Sequence, residues 1–222
     1  RPGTHAGGAG ASPADWTDEE RGCAMMLTEL TAVPGQALPV LQFRDHLRLS
    51  TGFPDDSAED GLLETYLRAA LAAVEAWTGK ALVVREFAWQ VEDWPDGDAA
   101  RLPVAPVREI VSVTVTDGTG AVSLADAGRY RLRADRHSPE LAATGAMLPA
   151  IPTGGEATVT FRAGFGAAWA EVPADLAHAV ILLAAYYYEY RHDARESGPE
   201  MPFGVTRLLS AWKRRRIGRG AA

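Results

Sequence analysis

Two changes of hydrophobic period predict an α+β chain, a small α-helical bundle of about four helices with an inserted antiparallel β unit between the second and third helices. Apolar residues recur every three to four positions up to Gly79, every second position between Lys80 and Ala163, and every three to four again after Pro173. Size is the third observation. With 222 residues, 47% of them apolar and 23% charged, the chain can form one domain or two small ones around a packed core. The divisions that follow are a flexible N-terminal arm over residues 1–38, a first helical part over 39–79, the β unit over 80–166, and a second helical part over 167–222 ending in a basic segment.

Residues 1–24 hold five Gly, five Ala and no Leu, Ile or Val. That composition buries too little surface to offset the entropy of ordering, so a flexible arm is expected. It has no apolar stretch of the secretory-signal kind. Met25-Met26 stands where a start codon would ordinarily fall, which leaves an upstream extension, a cloning remnant and a native arm as readings of the preceding 24 residues.

After Pro39, VLQFRDHLRL reads as a short helix closed by Ser50, Thr51, Gly52 and Pro54. Asp55, Asp56 and Ser57 offer caps to a longer one. Along it Leu63, Tyr66, Leu67, Ala70, Leu71, Val74 and Trp77 share a face, and Gly79 suits a left-handed C-terminal cap.

In the β unit, Val83, Arg85, Phe87, Trp89 and Val91 alternate with Val84, Glu86, Ala88, Gln90 and Glu92, as in a half-solvated strand. Further strands are expected over Ile110–Thr116, Tyr130–Arg133 and Glu156–Arg162, separated by turn clusters such as Asp117-Gly118-Thr119-Gly120 and Pro152-Thr153-Gly154-Gly155. Pro103 and Pro106 cannot donate ladder hydrogen bonds, which places them at an edge or in a connection.

Pro173 suits the first turn of the third helix, where Leu176, Val180, Leu183 and Tyr187 form a stripe widened by Ala177, Ala184 and Tyr190. After a loop through Ser197, Gly198, Pro199 and Pro202, a last helix beginning near Phe203 presents Val205, Leu208, Leu209 and Trp212. The first and last helical pairs are expected to pack together, Leu71 and Val74 against Val180 and Leu183, while the β unit projects.

Several function classes are excluded by residue type. No run approaches the roughly 18 to 20 apolar residues of a membrane span, so a soluble protein without a membrane partner is expected. The single cysteine, Cys23, can form neither an internal disulfide nor a cysteine zinc site. There is no GxxxxGK[ST] or GxSxG, and AGFGA at 163–167 is better explained as a turn than as a nucleotide loop. His178 and His192 lie 14 positions apart on one expected helix, too far to share a metal ion. His137-Ser138-Pro139-Glu140 has nucleophile-and-base residue types but reads as a turn. No cofactor, metal or catalytic constellation emerges, and a non-enzymatic role is expected.

Two features point to partners. Tyr186, Tyr187, Tyr188 and Tyr190 span most of a helix circumference and cannot all enter one core. Tyr186, Tyr188 and Tyr190 are therefore candidates for a subunit interface, the alternative being partial burial with wet hydroxyls. The second feature is charge. Phe203 to Ala222 carry six cations and no acid, so the net −7 leaves −13 on residues 1–202. An acidic body with a basic tail favours an anionic partner at the C-terminus, though cations also suit a helix C-terminus. The 20 Arg against 2 Lys reflect a compositional bias alongside 40 Ala and carry no argument of their own.

Six blocks in order resemble a known family: DHLRL at 45–49, LLETYLRAALAAVEAWTGKAL at 62–82, RLPVAPVREIVSVTVTDGTG at 101–120, VTFRAGFG at 159–166, VPADLAHAVILLAAYYYEYR at 172–191 and MPFGVTRLLSAWKRRR at 201–216. They are similar to the head-to-tail connector (adaptor) proteins of long-tailed phages, in particular the branch with an inserted β domain and the adaptor of prophage-like gene transfer agents. The resemblance implies a structural protein of the neck of a virion or phage-like particle, assembled in the bacterial cytoplasm. It implies a ring, typically dodecameric, that sits beneath the portal protein, meets a stopper or tail-terminator protein and leaves a channel for DNA without sequence-specific binding. An acidic lumen would keep DNA phosphates from sticking. Portal docking then maps to Phe203, Val205, Leu208, Leu209, Trp212, Lys213, Arg214, Arg215 and Arg216. The alternative is a DNA-binding packaging or regulatory protein using the same basic tail, which a steep salt dependence of DNA affinity would reveal.

Overall fold

In the computed structural model, which describes residues 25–49, 56–190 and 201–213, eight strands and four α-helices form two apolar clusters. The architecture is mixed α+β with antiparallel sheets. In chain order the elements are β1 (Met25–Glu29), α1 (Val40–His46), α2 (Asp56–Thr78), β2 (Arg85–Val91), β3 (Ala99–Arg101), β4 (Val107–Thr116), β5 (Val122–Leu124), β6 (Tyr130–Arg133), β7 (Glu140–Ala143), β8 (Glu156–Ala163), α3 (Ala174–Glu189) and α4 (Phe203–Leu209).

The helices share one core. Leu63, Leu67, Leu71 and Val74 of α2 are buried with Leu176, Val180 and Leu183 of α3, and Phe43 of α1 and Leu209 of α4 close the ends. This is the α2–α3 pairing that the stripes predict. Gly79 stops α2 as expected: its φ of 66° is the left-handed region, and its N–H donates to Glu75 O at 2.8 Å. The cap candidates at the start of α2 lie outside the described residues, Asp55 entirely and Asp56 and Ser57 in their side chains. A buried Arg44 on α1 pairs with Asp60 on α2, fixing the short helix against the long one.

The strands form the second cluster. A five-stranded sheet runs β1-β2-β8-β4-β5 and a three-stranded sheet β3-β7-β6, with every neighbouring pair antiparallel. In β2 the alternation is complete: Arg85, Phe87, Trp89 and Val91 are buried and the residues between them only partly so. Phe87, Trp89 and Val91 join Val113 and Val115 of β4, Val159 and Phe161 of β8, and Leu141 of β7 in one apolar cluster. Phe87 and Phe161 are cross-strand neighbours and stack with ring centroids 5.7 Å apart. Pro103 and Pro106 lie in the connection between β3 and β4, where no ladder bond is needed.

Two boundaries differ from expectation. The arm expected over residues 1–38 does not include residues 25–38. Met25–Glu29 pair along their whole length with β2, and Val33, Ala37 and Leu38 are buried in the helical core. All five β1 positions are exposed, so no alternation marks the strand; what orders it is the open edge of β2. For the same reason the β structure does not derive from residues 80–166 alone, since its five-stranded sheet takes one edge strand from ahead of α1.

Candidate assembly surfaces

The C-terminal segment is built onto the body by its apolar stripe. Pro202 precedes α4 and its carbonyl accepts from Thr206 N–H, after which Val205, Leu209 and Trp212 enter the helical core. Trp212, only 7% exposed, is clasped from several sides. Its indole N–H donates to Asp175 Oδ2 in the first turn of α3, and Phe165 meets it edge-on at 5.4 Å between centroids. The Arg136 guanidinium lies 5.3 Å from the ring and the His137 imidazole 6.0 Å.

Val205, Leu209 and Trp212, grouped among the portal-docking residues, are buried in the chain's own core, and the segment from Met201 to Lys213 is seated on the body. The i, i+3, i+4, i+7 spacing is common to a docking stripe and a core stripe, and only the cavity offered by α2, α3 and Phe165 decides between them. Of the remaining candidates, Phe203 is 83% exposed, Leu208 is half-buried, and Lys213 is exposed with Nζ 5.0 Å from the Trp77 ring. Arg214, Arg215 and Arg216 lie outside the described residues.

The tyrosines of α3 divide similarly. Tyr188 makes an edge-to-face contact with Tyr66 of α2 at 5.8 Å, an intrachain role. Tyr186 packs against Tyr190 with centroids 4.6 Å apart, and Tyr190 is 51% exposed. Burial and the neighbouring Tyr186 push the Tyr187 hydroxyl above its ordinary pKa. Tyr190 is thus the exposed tyrosine of the run, while Tyr186, Tyr187 and Tyr188 are partly buried and pack against the helical core.

A charged hub joins the two clusters. Glu75, in the last turns of α2, accepts from Arg85 of β2 at 2.9 and 2.5 Å and from the Leu82 N–H at 2.7 Å. Glu29 of β1 lies 2.9 Å from Arg85 Nε. Burial opposes the charge on Arg85, but hydrogen bonding and the charges of Glu75 and Glu29 outweigh it and raise the guanidinium pKa above its ordinary value.

The His137-Ser138 segment is a turn. Both N–H groups donate to Asp135 Oδ1, at 2.7 and 2.6 Å, and these bonds hold the Asp135 carboxyl below its ordinary pKa. Glu140 pairs with Arg133 at 3.3 Å rather than with His137. Among the described residues no group of three or more His, Cys, Asp or Glu is placed to hold a metal ion, and no helix is long and apolar enough to cross a membrane.

Comparison with family models and with curated proteins returns no match. Solved structures do match. A chain from the neck of an empty gene transfer agent particle, computed with C6 symmetry, is 50% identical at a TM-score of 0.80, covering 89% of this chain and all of that one. A chain from the virion of a native gene transfer agent particle is 51% identical at 0.76, covering 88% and 98%. One from the neck of a native particle, computed with C12 symmetry, is 46% identical at 0.75, covering 89% and 100%. The chain belongs to the gene transfer agent head-to-tail connector family.

For a connector the informative surfaces are those that hold or free the C-terminal segment. Sequence reasoning found Trp212 but not its clasp, because Arg136, His137, Phe165 and Asp175 come from three separate segments. The sequence signal was the turn type of Asp135 to Pro139, where Asp135 accepts from the His137 and Ser138 N–H groups. The acids of the connector gather in part at one end of the five-stranded sheet, where Glu92, Asp93, Asp117 and Glu156 line an open depression. Asp117 is held below its ordinary pKa by the Thr119 hydroxyl and by the N–H groups of Ala121 and Thr119.

Proposed function

We propose that this connector is a structural ring subunit that sits beneath the portal, joins the DNA-filled head to the stopper or tail, and leaves a central channel for DNA. The observation that carries the reading is the 46–51% identity to chains of gene transfer agent necks, two of them computed with cyclic symmetry, over 88–89% of the length. A cyclic assembly needs extended contact surfaces and no reaction centre. The exposed Phe203 and Tyr190 and a basic run that begins at Lys213 suit such surfaces.

In this reading the portal contact falls on Phe203, on Leu208 and on the cations from Lys213 to Arg216, with Trp212 fastening the base of the segment to the body. The cations would meet acidic portal surface, and the net negative body would disfavour DNA adhering in the channel. Co-expression with the portal tests it. Native mass spectrometry of the purified complex should show a ring of this chain on the portal ring. A complex without multiple copies, or no complex, would overturn the assignment. Truncation after Trp212 should then abolish the complex while leaving the monomer folded.

A further inference from the structure

Among the described residues the five-stranded sheet is open at both ends. The Leu30 N–H donates inward to Glu86 O, so by the two-residue alternation Met25, Leu27 and Glu29 direct their backbone groups away from β2. At the far end, the Ala125 N–H bonds to Val113 O and the Ala121 carbonyl accepts from Asp117, which leaves Val122 and Leu124 facing away from β4. None of these outward groups has a backbone partner among the described residues.

The register links the two edges. One row crosses the outer face of the sheet as Met26, Gln90, Thr158, Thr114, Leu124. Its middle is polar, as a solvated face should be, and its two ends are apolar and exposed, 57% for Met26 and 72% for Leu124. Val122 repeats the pattern beside Thr116. Apolar residues at the edges of a polar face are a liability in a free sheet and an asset where the sheet continues.

We infer that β5 of one copy pairs with β1 of the next, so that the ring is stitched by intermolecular strand addition; the inference rests on the ring reading above. The occupant of each edge is a second copy because the two ends differ and complement each other. Four antiparallel pairings in succession leave β1 and β5 running in the same direction, so a copy added by rotation pairs its β1 parallel to β5, with Leu124 beside Met26. Such a contact is heterologous and closes into a ring, which an isologous β1–β1 contact cannot do. A strand of three residues buries much less than the roughly 1,000 Å² that a stable two-body complex needs. Free chains therefore stay apart, and the contact persists only where many copies are held together on a platform.

The test is disulfide trapping in the full chain with the native Cys23→Ser, carrying Met26→Cys and Leu124→Cys. Within one copy β1 and β5 stand about 19 Å apart, four strand spacings, so any bond formed is between copies. Assembled with portal and oxidised, the double variant should give a ladder of covalent multimers on denaturing gels, and each single variant none. A ring seen by native mass without a ladder overturns the strand pairing and leaves the ring reading standing. Dimers from Met26→Cys alone overturn it in favour of β1–β1 pairing, and a ladder that needs deletion of residues 1–24 assigns the edge to the arm. Absence of any ring overturns both readings. Independently, Leu124→Lys should leave the melting temperature of the monomer unchanged and abolish incorporation into the ring; normal incorporation overturns the proposal.

Discussion

Glu75 and Arg85 are paired through both carboxylate oxygens at 2.9 and 2.5 Å, in the short connection where the helical core ends and the sheet begins. The same carboxylate accepts the Leu82 N–H, so one side chain holds the end of α2, the entry to β2 and, through Arg85, Glu29 of β1. The hub thus ties the end of the helical core to the first strands of the sheet.

Removing one partner should therefore cost far more than a surface ion pair. Glu75→Ala leaves the Arg85 guanidinium buried without its main counter-charge, at about 3–5 kcal/mol. Denaturant unfolding measures it, and a loss under about 1 kcal/mol, the surface-pair range, would contradict a structural role. Glu75→Ala combined with Arg85→Met should cost less than the sum of the two single changes.

Leu71 tests the helical core. It is buried with Val74, Val180 and Leu183, so Leu71→Ala should destabilise by about 2–5 kcal/mol through lost burial and the cavity left behind. An unchanged thermal midpoint would refute its burial.

Trp212 and Phe203 should separate stability from assembly. Trp212→Ala empties the clasp of Phe165, Arg136 and Asp175 and should cost about 3–5 kcal/mol. Phe203→Ser, at an exposed site, should stay within about 0.5 kcal/mol of the parent chain. Loss of portal binding by Phe203→Ser with an intact melting curve is the expected combination; comparable melting losses in both variants would oppose it.

His137 predicts an acid sensitivity. Burial and the nearby Lys80 and Arg136 charges lower its pKa below the ordinary value, with Asp135 acting the other way, so the folded state favours the neutral imidazole. The unfolded chain takes up the proton first, and stability should decline as pH falls below about 6.5. Asp135, whose carboxyl is lowered, loses its own contribution only in the more acidic range below about 3.9. His137→Gln should flatten stability between about pH 7 and 5. An unchanged slope would place the titration elsewhere.

The elements with the plainest signal in the sequence are those whose period repeats over several turns or pairs. The 23 residues of α2, the stripe of α3 and the alternation in β2 are each long enough for burial to leave a pattern. The three residues of β3 and of β5 are too few to show one. Residues Met25–Glu29, exposed at every position, have no pattern to show, because an edge strand is ordered by its neighbour's hydrogen bonds and not by its own side chains.

The sequence by itself determined the mixed α+β class, the succession of periods and, through its ordered blocks, the family. Tertiary structure decided where the stripes go. Val205, Leu209 and Trp212 have the spacing of a docking face, but the cavity between α2, α3 and Phe165 takes them in. The reason is physical: periodicity states which residues avoid water, and only the assembled chain states which surface covers them.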